Sequence, residues 1–257
     1  MFKKTMFIFV SLVLFFSGNL FAENIILGNG EWKPYQSKDL KNGGFCTDVV
    51  MSAFKEAGYD TEFRWYGGAW KRAYSEAAEN KIDGTLVWSH KDSREKEMYY
   101  SKESVLDGKK DYIYYLKGKG PLNEAKDLYG KRVGGILGYT YGKEIDKAIE
   151  ENKINIDRTN SEVNNFKKML VGRIDCLISG SDVAQEIIDN QLTAEEKSKI
   201  TKSLEPVRVV TYHLLLNRVK PENKIRMDKF DEALKKLKES GVHKDMVSKL
   251  HSGWYEQ

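Results

Sequence analysis

Apolar and polar positions along this chain fall into one short leader and then a long alternation of two periods. Lys3 and Lys4 precede an apolar run from Met6 to Phe16 that is broken only by Ser11. The segment Ser17-Gly18-Asn19-Leu20-Phe21-Ala22 then leads into a polar chain at Glu23. A basic start, a short apolar stretch and a small residue at its end predict a secretory leader cleaved near Ala22. A membrane-spanning helix needs about 20 apolar residues, whereas this run covers residues 6–16. With no cysteine after the cut to carry a lipid, the expected mature product is free in its compartment.

From residue 23 onward, strand and helix signals alternate. Ile25 to Leu27 is a short apolar run closed by Gly28-Asn29-Gly30. Thr47 or Asp48 is placed to cap a helix with Val50, Ala53, Phe54 and Ala57 on its apolar face, stopped by Gly58. Residues 59–66 alternate, with Tyr59, Thr61, Phe63 and Trp65 on one side. Trp70, Ala73, Tyr74 and Ala77 stand at helical spacing, Asn80 closes that helix, and a strand follows over 82–88. The pattern restarts near residue 110: strands over 112–116, 132–136, 154–156 and 176–178 alternate with helices over 141–151, 162–171 and 183–190. The polar segment 193–201 is expected to be a solvated face. A strand over 207–216, a helix from Pro221 to Gly241 and a short helix to Ser252 end the chain. Such alternation predicts an α/β fold with a mostly parallel sheet and helices on both faces, built as two units.

Composition narrows the function by exclusion. The 257 residues are 40% hydrophobic and 31% charged, enough for a buried core. The formal charge of +4 includes Lys3 and Lys4, so the mature chain carries no electrostatic footprint for nucleic acid. His90, His213, His243 and His251 have no metal-ligand spacing with cysteine or carboxylate, which predicts no metal and no cofactor. Gly134, Gly135 and Gly138 lack the spacing of a dinucleotide fingerprint. No Ser/His/Asp or Cys/His arrangement is specific enough to name a nucleophile. Cys46 and Cys176 fall in different units, and two separate buried thiols are expected.

Six local motifs, in order, carry a resemblance. They are Trp32-Lys33-Pro34-Tyr35; Gly44-Phe45 followed by Asp48; Lys81-Ile82-Asp83-Gly84; Ser93-Arg94 followed by Tyr100-Ser101; Gly130-Lys131-Arg132-Val133-Gly134 followed by Gly138-Tyr139-Thr140; and Gly172-Arg173-Ile174-Asp175. In this order and at this spacing the chain resembles the family 3 extracellular solute-binding proteins, the periplasmic receptors of polar amino-acid ABC transporters. The resemblance covers nearly all of the mature chain. It implies a type II periplasmic binding protein fold: two α/β lobes, two crossover strands, and a ligand cleft between the lobes. Lobe one is expected to be residues 23–110 with 210–257, lobe two residues 111–209, and residues 1–22 the leader. The crossovers are expected near residues 110–114 and 206–211.

The resemblance also implies roles. Arg94 corresponds to the residue that holds a ligand α-carboxylate, for which a planar guanidinium fork is suited. Ser89 and Thr140 correspond to hydroxyl or backbone contacts, and Gly138-Tyr139-Thr140 opens a predicted helix whose free amides would favour an anion. Trp32, Tyr35, Trp70 and Trp88 map to cleft-facing aromatic walls. Two positions depart from the pattern. Lys91 replaces a threonine, and Gly180 stands where the family's ammonium-binding aspartate lies, with Asp182 expected to cap a helix beginning at Val183. The implied function is a monomeric periplasmic receptor for a small solute, acting with an inner-membrane ABC permease. The alternatives are an enzyme like the cyclohexadienyl dehydratases, which share the fold and need a catalytic acid in the cleft, and a sensory binding module.

Overall fold

A computed structural model describes residues 23–256, and the expected leader lies outside them. The alternating and all-apolar runs become strands of one curled sheet in the order β2-β1-β3-β10-β5-β8-β6-β7, with β4 on β10 and β9 on β5. These strands are β1 (Glu23–Asn29), β2 (Tyr59–Trp65), β3 (Gly84–Ser89), β4 (Met98–Tyr100), β5 (Leu106–Leu116), β6 (Arg132–Ile136), β7 (Asn155–Thr159), β8 (Cys176–Gly180), β9 (Ile200–Lys202) and β10 (Arg208–Asn217). The helices are α1 (Phe45–Glu56), α2 (Trp70–Ala78), α3 (Lys143–Glu150), α4 (Glu162–Leu170), α5 (Ser181–Gln191), α6 (Ala194–Lys199), α7 (Glu222–Glu239) and α8 (Val242–His251). Among the described residues no helix is long and apolar enough to cross a membrane.

The sheet is mixed rather than mostly parallel. β1 pairs in parallel with β2 and β3, and β6 with β7 and β8, as βα alternation dictates. The two central strands, β5 and β10, run antiparallel to each other and to their neighbours β8 and β3. They are the long strands that join the two lobes, so their direction is set by the return of the chain and not by a crossover helix. The edge strand β2 keeps the expected alternation, while every residue of β3 is buried.

Two local expectations need correction. Helix α1 starts at Phe45 after Gly44, whose φ of 89° favours glycine, so Thr47 and Asp48 lie inside the first turn. There Thr47 donates its hydroxyl to the Gly43 carbonyl (2.8 Å), and Asp48 accepts from Tyr255 (2.9 Å). Residues 193–199 face solvent as expected, and they also fold: Thr193 and Glu196 form a capping box for α6, and β9 then pairs with β5. Helix α5 already begins at Ser181, so Asp182 is a first-turn residue and not its cap.

The C-terminal helices return to the first part of the chain. α7 packs on α1, β4 and β10, and α8 on α1, with the Phe230 ring 4.9 Å from that of Phe54 and tilted 45° to it. Cys46 on α1 and Cys176 on β8 are free and fully buried. Burial pushes the Cys176 thiol up to about 12 and the Cys46 thiol further, which keeps both protonated at neutral pH.

Candidate functional site

The site is built at the carboxyl end of β3. Val87 adopts a φ of 58°, a costly conformation for a β-branched residue, and the pairing of β10 with β3 shifts register between His213 and Leu215. This break in the strand turns Trp88 and Ser89 toward the cleft. The indole of Trp88 is held by a bond from Nε1 to the Thr85 hydroxyl (3.1 Å). A 3-10 turn over Asp92–Lys96 follows and buries Arg94 to 8% exposure, so Arg94 is not a solvated loop residue.

Arg94 lies on the seam between the lobes. Its Nη1 donates to the Ser89 carbonyl (3.0 Å) and its Nη2 to the Gly138 carbonyl, in the turn after β6 (2.6 Å). The guanidinium carbon stands 4.6 Å from the Trp88 ring centroid and 5.5 Å from that of Tyr74. Gly138 presents its carbonyl from a left-handed turn with φ of 86°. A guanidinium carries five N–H groups, so two carbonyl bonds leave donors for a carboxylate.

Thr140 is at the seam but caps nothing. Helix α3 begins at Lys143, and the Asp146 carboxylate takes both the Thr140 hydroxyl and the Tyr141 amide, the latter at 2.9 Å. The Tyr141 amide that follows this turn is thus satisfied from within. The Thr140 carbonyl accepts from Arg208 on β10 (2.9 Å).

The aromatic residues divide into wall and backing. Trp32 and Trp70 line two adjoining cavities, together with Tyr139. Trp88 lines the smaller, of about 20 Å³, which also holds Ser89, Arg94 and Thr140. That space is enough for about one water. The larger, of about 360 Å³, reaches Glu162, Val183 and Ile187. Tyr35 lines neither: it packs behind Trp32 at 4.7 Å and donates its hydroxyl to Asp182. Asp182 also accepts from Lys109 on β5 (3.0 Å). Burial opposes its charge, but the bonds from Tyr35 and Lys109 hold its carboxyl below the usual range.

The empty position at Gly180 has one acid beside it, from β5. A Cβ added there would stand 3.5 Å from Asp111 Oδ1. Asp111 is buried, which raises its carboxyl, and Arg208 opposes this with a 2.7 Å ion pair. Next to Gly180, Ser179 donates its hydroxyl to Glu162, the first residue of α4. Burial pushes the Glu162 carboxyl up to about 7 despite that bond. Among the described residues Glu162 has no ion-pair partner. Motif matching missed Glu162, Asp111 and Arg208. Their available signal was placement: Glu162 follows the carboxyl end of β7, where ligands meet open α/β sheets, and Asp111 faces Arg208 in the β5–β10 register.

The profile of the bacterial extracellular solute-binding proteins, family 3, matches residues 25–254. No curated protein matches the chain. Among solved structures, an ancestral arginine-binding protein bound to arginine is 20% identical, with 88% of this chain and 97% of that chain covered and a TM-score of 0.71. A variant of ArgBP from T. maritima is 19% identical, with 89% and 95% covered and a TM-score of 0.72. A histidine kinase sensor domain with similarity to periplasmic binding proteins is 17% identical, with 89% and 96% covered and a TM-score of 0.74. At these identities the likeness is one of fold: two α/β lobes closing on a cleft, which is where Arg94, Trp32, Trp70 and Tyr139 meet here. With the profile running from β1 into the 3-10 turn that follows α8, the chain belongs to the bacterial extracellular solute-binding proteins of family 3.

Proposed function

We propose that this protein is a periplasmic receptor that captures a small carboxylate-bearing solute, an amino acid or a relative of one, and delivers it to an inner-membrane ABC permease. It acts as a monomer after cleavage near Ala22. Lobe one is residues 23–110 with 210–257, and lobe two is residues 111–209, so that β5 and β10 form the hinge. The arginine and amino-acid ABC transporter neighbours support this reading.

The observation that carries it is Arg94, whose fork spans the seam and bonds one carbonyl from each lobe. A carboxylate entering there exchanges a neutral acceptor for a charged, bidentate one, and the exchange favours closure because both lobes contribute. Ser89 and Thr140 flank that end, and Trp32, Trp70, Trp88 and Tyr139 wall the rest. Truncating an arginine that pairs with a charged ligand in a closed cleft costs about 2–4 kcal/mol. Arg94→Ala is therefore expected to weaken the best-bound member of an amino-acid panel roughly 30- to 1000-fold in calorimetry. Equal affinity in the variant overturns the carboxylate anchor.

Glu162 favours one second reading, an enzyme of the cyclohexadienyl dehydratase kind, because it supplies a carboxylic acid near neutrality beside the cleft. Incubation with prephenate or arogenate tests it: product formation that Glu162→Gln abolishes establishes the enzyme, and binding without turnover supports the receptor.

A further inference from the structure

The 360 Å³ chamber beside Arg94 is of the size that small-molecule sites occupy. Its walls combine two indoles, Trp32 and Trp70, with the Tyr139 phenol and the Glu162 carboxyl. Aromatic faces attract cations, most strongly where water is displaced. Glu162 is set among like charge and neutral groups: Asp111 repels it, and Ser179 offers one hydroxyl. A carboxylate in such a place lowers stability unless a cation joins it.

We propose that Glu162, braced by Ser179, is the counter-charge for an ammonium or guanidinium group of the ligand, which sits against Trp32, Trp70 and Tyr139. The acid that Gly180 lacks is thus delivered from α4 instead of from the end of β8. This assignment deepens the receptor reading, and it rests on that reading only in placing the ligand's carboxylate end at Arg94.

Binding of a cation by this group is coupled to a proton. With its carboxyl near 7, Glu162 is about half protonated at pH 7, so a permanently charged guanidinium releases about half a proton on binding. Tyr139, Tyr141, Tyr114 and Tyr212, which surround it, are all shifted upward by burial and stay neutral in this range. Asp111 is tied to Arg208, and Arg158 on β7 is turned to the Ile136 and Tyr139 carbonyls. Glu31, Lys33 and Glu186 line the chamber as well, and among them Glu31 and Lys33 are exposed.

The test is calorimetry with L-arginine, agmatine and the neutral isostere L-citrulline, at pH 6 to 8 and in buffers of differing ionisation enthalpy. Wild type is expected to bind both guanidinium probes more tightly as pH rises through 7, and to bind L-citrulline roughly 30-fold more weakly or worse. Glu162→Gln, checked for folding by its thermal transition, is expected to erase that preference and the proton release. Ser179→Ala keeps the carboxylate and is expected to lose a smaller part of the preference. Failure of wild type to bind either guanidinium probe, or a Glu162→Gln variant that discriminates as wild type does, overturns the proposal. Arg94→Ala separates the two ideas. If it leaves L-arginine affinity unchanged while Glu162→Gln removes the guanidinium preference, the carboxylate anchor fails and the cation site stands.

Discussion

Folding raises the Glu162 carboxyl from 4.5 to about 7, because burial strips its water and the Ser179 hydroxyl restores only part of the loss. A carboxyl whose folded value lies above its unfolded one favours the folded state most below about pH 4.5, and that contribution is lost as pH rises through 7. A displacement of this size corresponds to roughly 3 kcal/mol. Glu162→Gln, which stays neutral, is expected to be more stable than wild type by about 2–3 kcal/mol at pH 8 and equal to it near pH 4. Urea unfolding at the two pH values measures this, and a difference independent of pH contradicts it. A substitution that strengthens the fold while weakening binding marks a residue retained for its site. Arg94 was legible in the chain because its motif neighbours, Ser93 and Tyr100-Ser101, are local. Glu162 was not, since behind Ser161 it looks like any acid in a first helical turn. Only the pleat of β8 brings Ser179 against it. Asp182 misled for a similar reason: a polar residue before an apolar helix suggests a cap, yet its partners Tyr35 and Lys109 are distant in the chain.

Elements with strong periodicity, such as α4, α7 and the alternating β2, matched their expected spans closely. What periodicity could not supply was the antiparallel pairing of β5 with β10, which depends on contacts about 100 residues apart in the chain. The approach of one turn to another was equally hidden. The turn before α2 meets the turn between β7 and α4, where a Cβ on Gly68 would fall 2.3 Å from the Asn160 carbonyl oxygen. The turn before α2 cannot yield cheaply, because Glu31 donates to the Gly67 carbonyl and Trp70 to the Gly68 carbonyl, each at 2.9 Å. Gly68 has an ordinary backbone conformation, so alanine there adds bulk without backbone strain. The clash arises only when the lobes are together. Overpacking of this kind costs about 1–3 kcal/mol. Because the penalty falls on the closed form alone, Gly68→Ala is expected to raise the open fraction and to speed ligand association roughly fivefold or more. Stopped-flow association measures it, and a rate equal to that of wild type overturns it.

Across the whole molecule the direct links between the lobes include Arg94 to the Gly138 carbonyl, Lys143 to Asp92, and Tyr35 and Lys109 to Asp182. Each is a contact the ligand-free protein can make alone, so closure competes with ligand entry and the ligand must find an open form. When entry requires opening, the observed association rate scales with the open fraction, however small that fraction is. Tyr35 is the link best isolated, since it lines neither cavity and Asp182 keeps Lys109 and Ser181 as partners without it. Tyr35→Phe retains the ring against Trp32 and deletes only the hydroxyl. A hydrogen bond to a carboxylate in this partly exposed position contributes about 1 kcal/mol. Its loss shifts the closed-to-open ratio roughly fivefold. The tightest-bound amino acid of the panel is thus expected to associate about five times faster with Tyr35→Phe than with wild type, while its dissociation rises by no more than a similar factor. Stopped-flow fluorescence reports both rates directly, because Trp32 and Trp70 form the chamber wall. An association rate equal to that of wild type would mean that the Tyr35–Asp182 bond does not hold the lobes together.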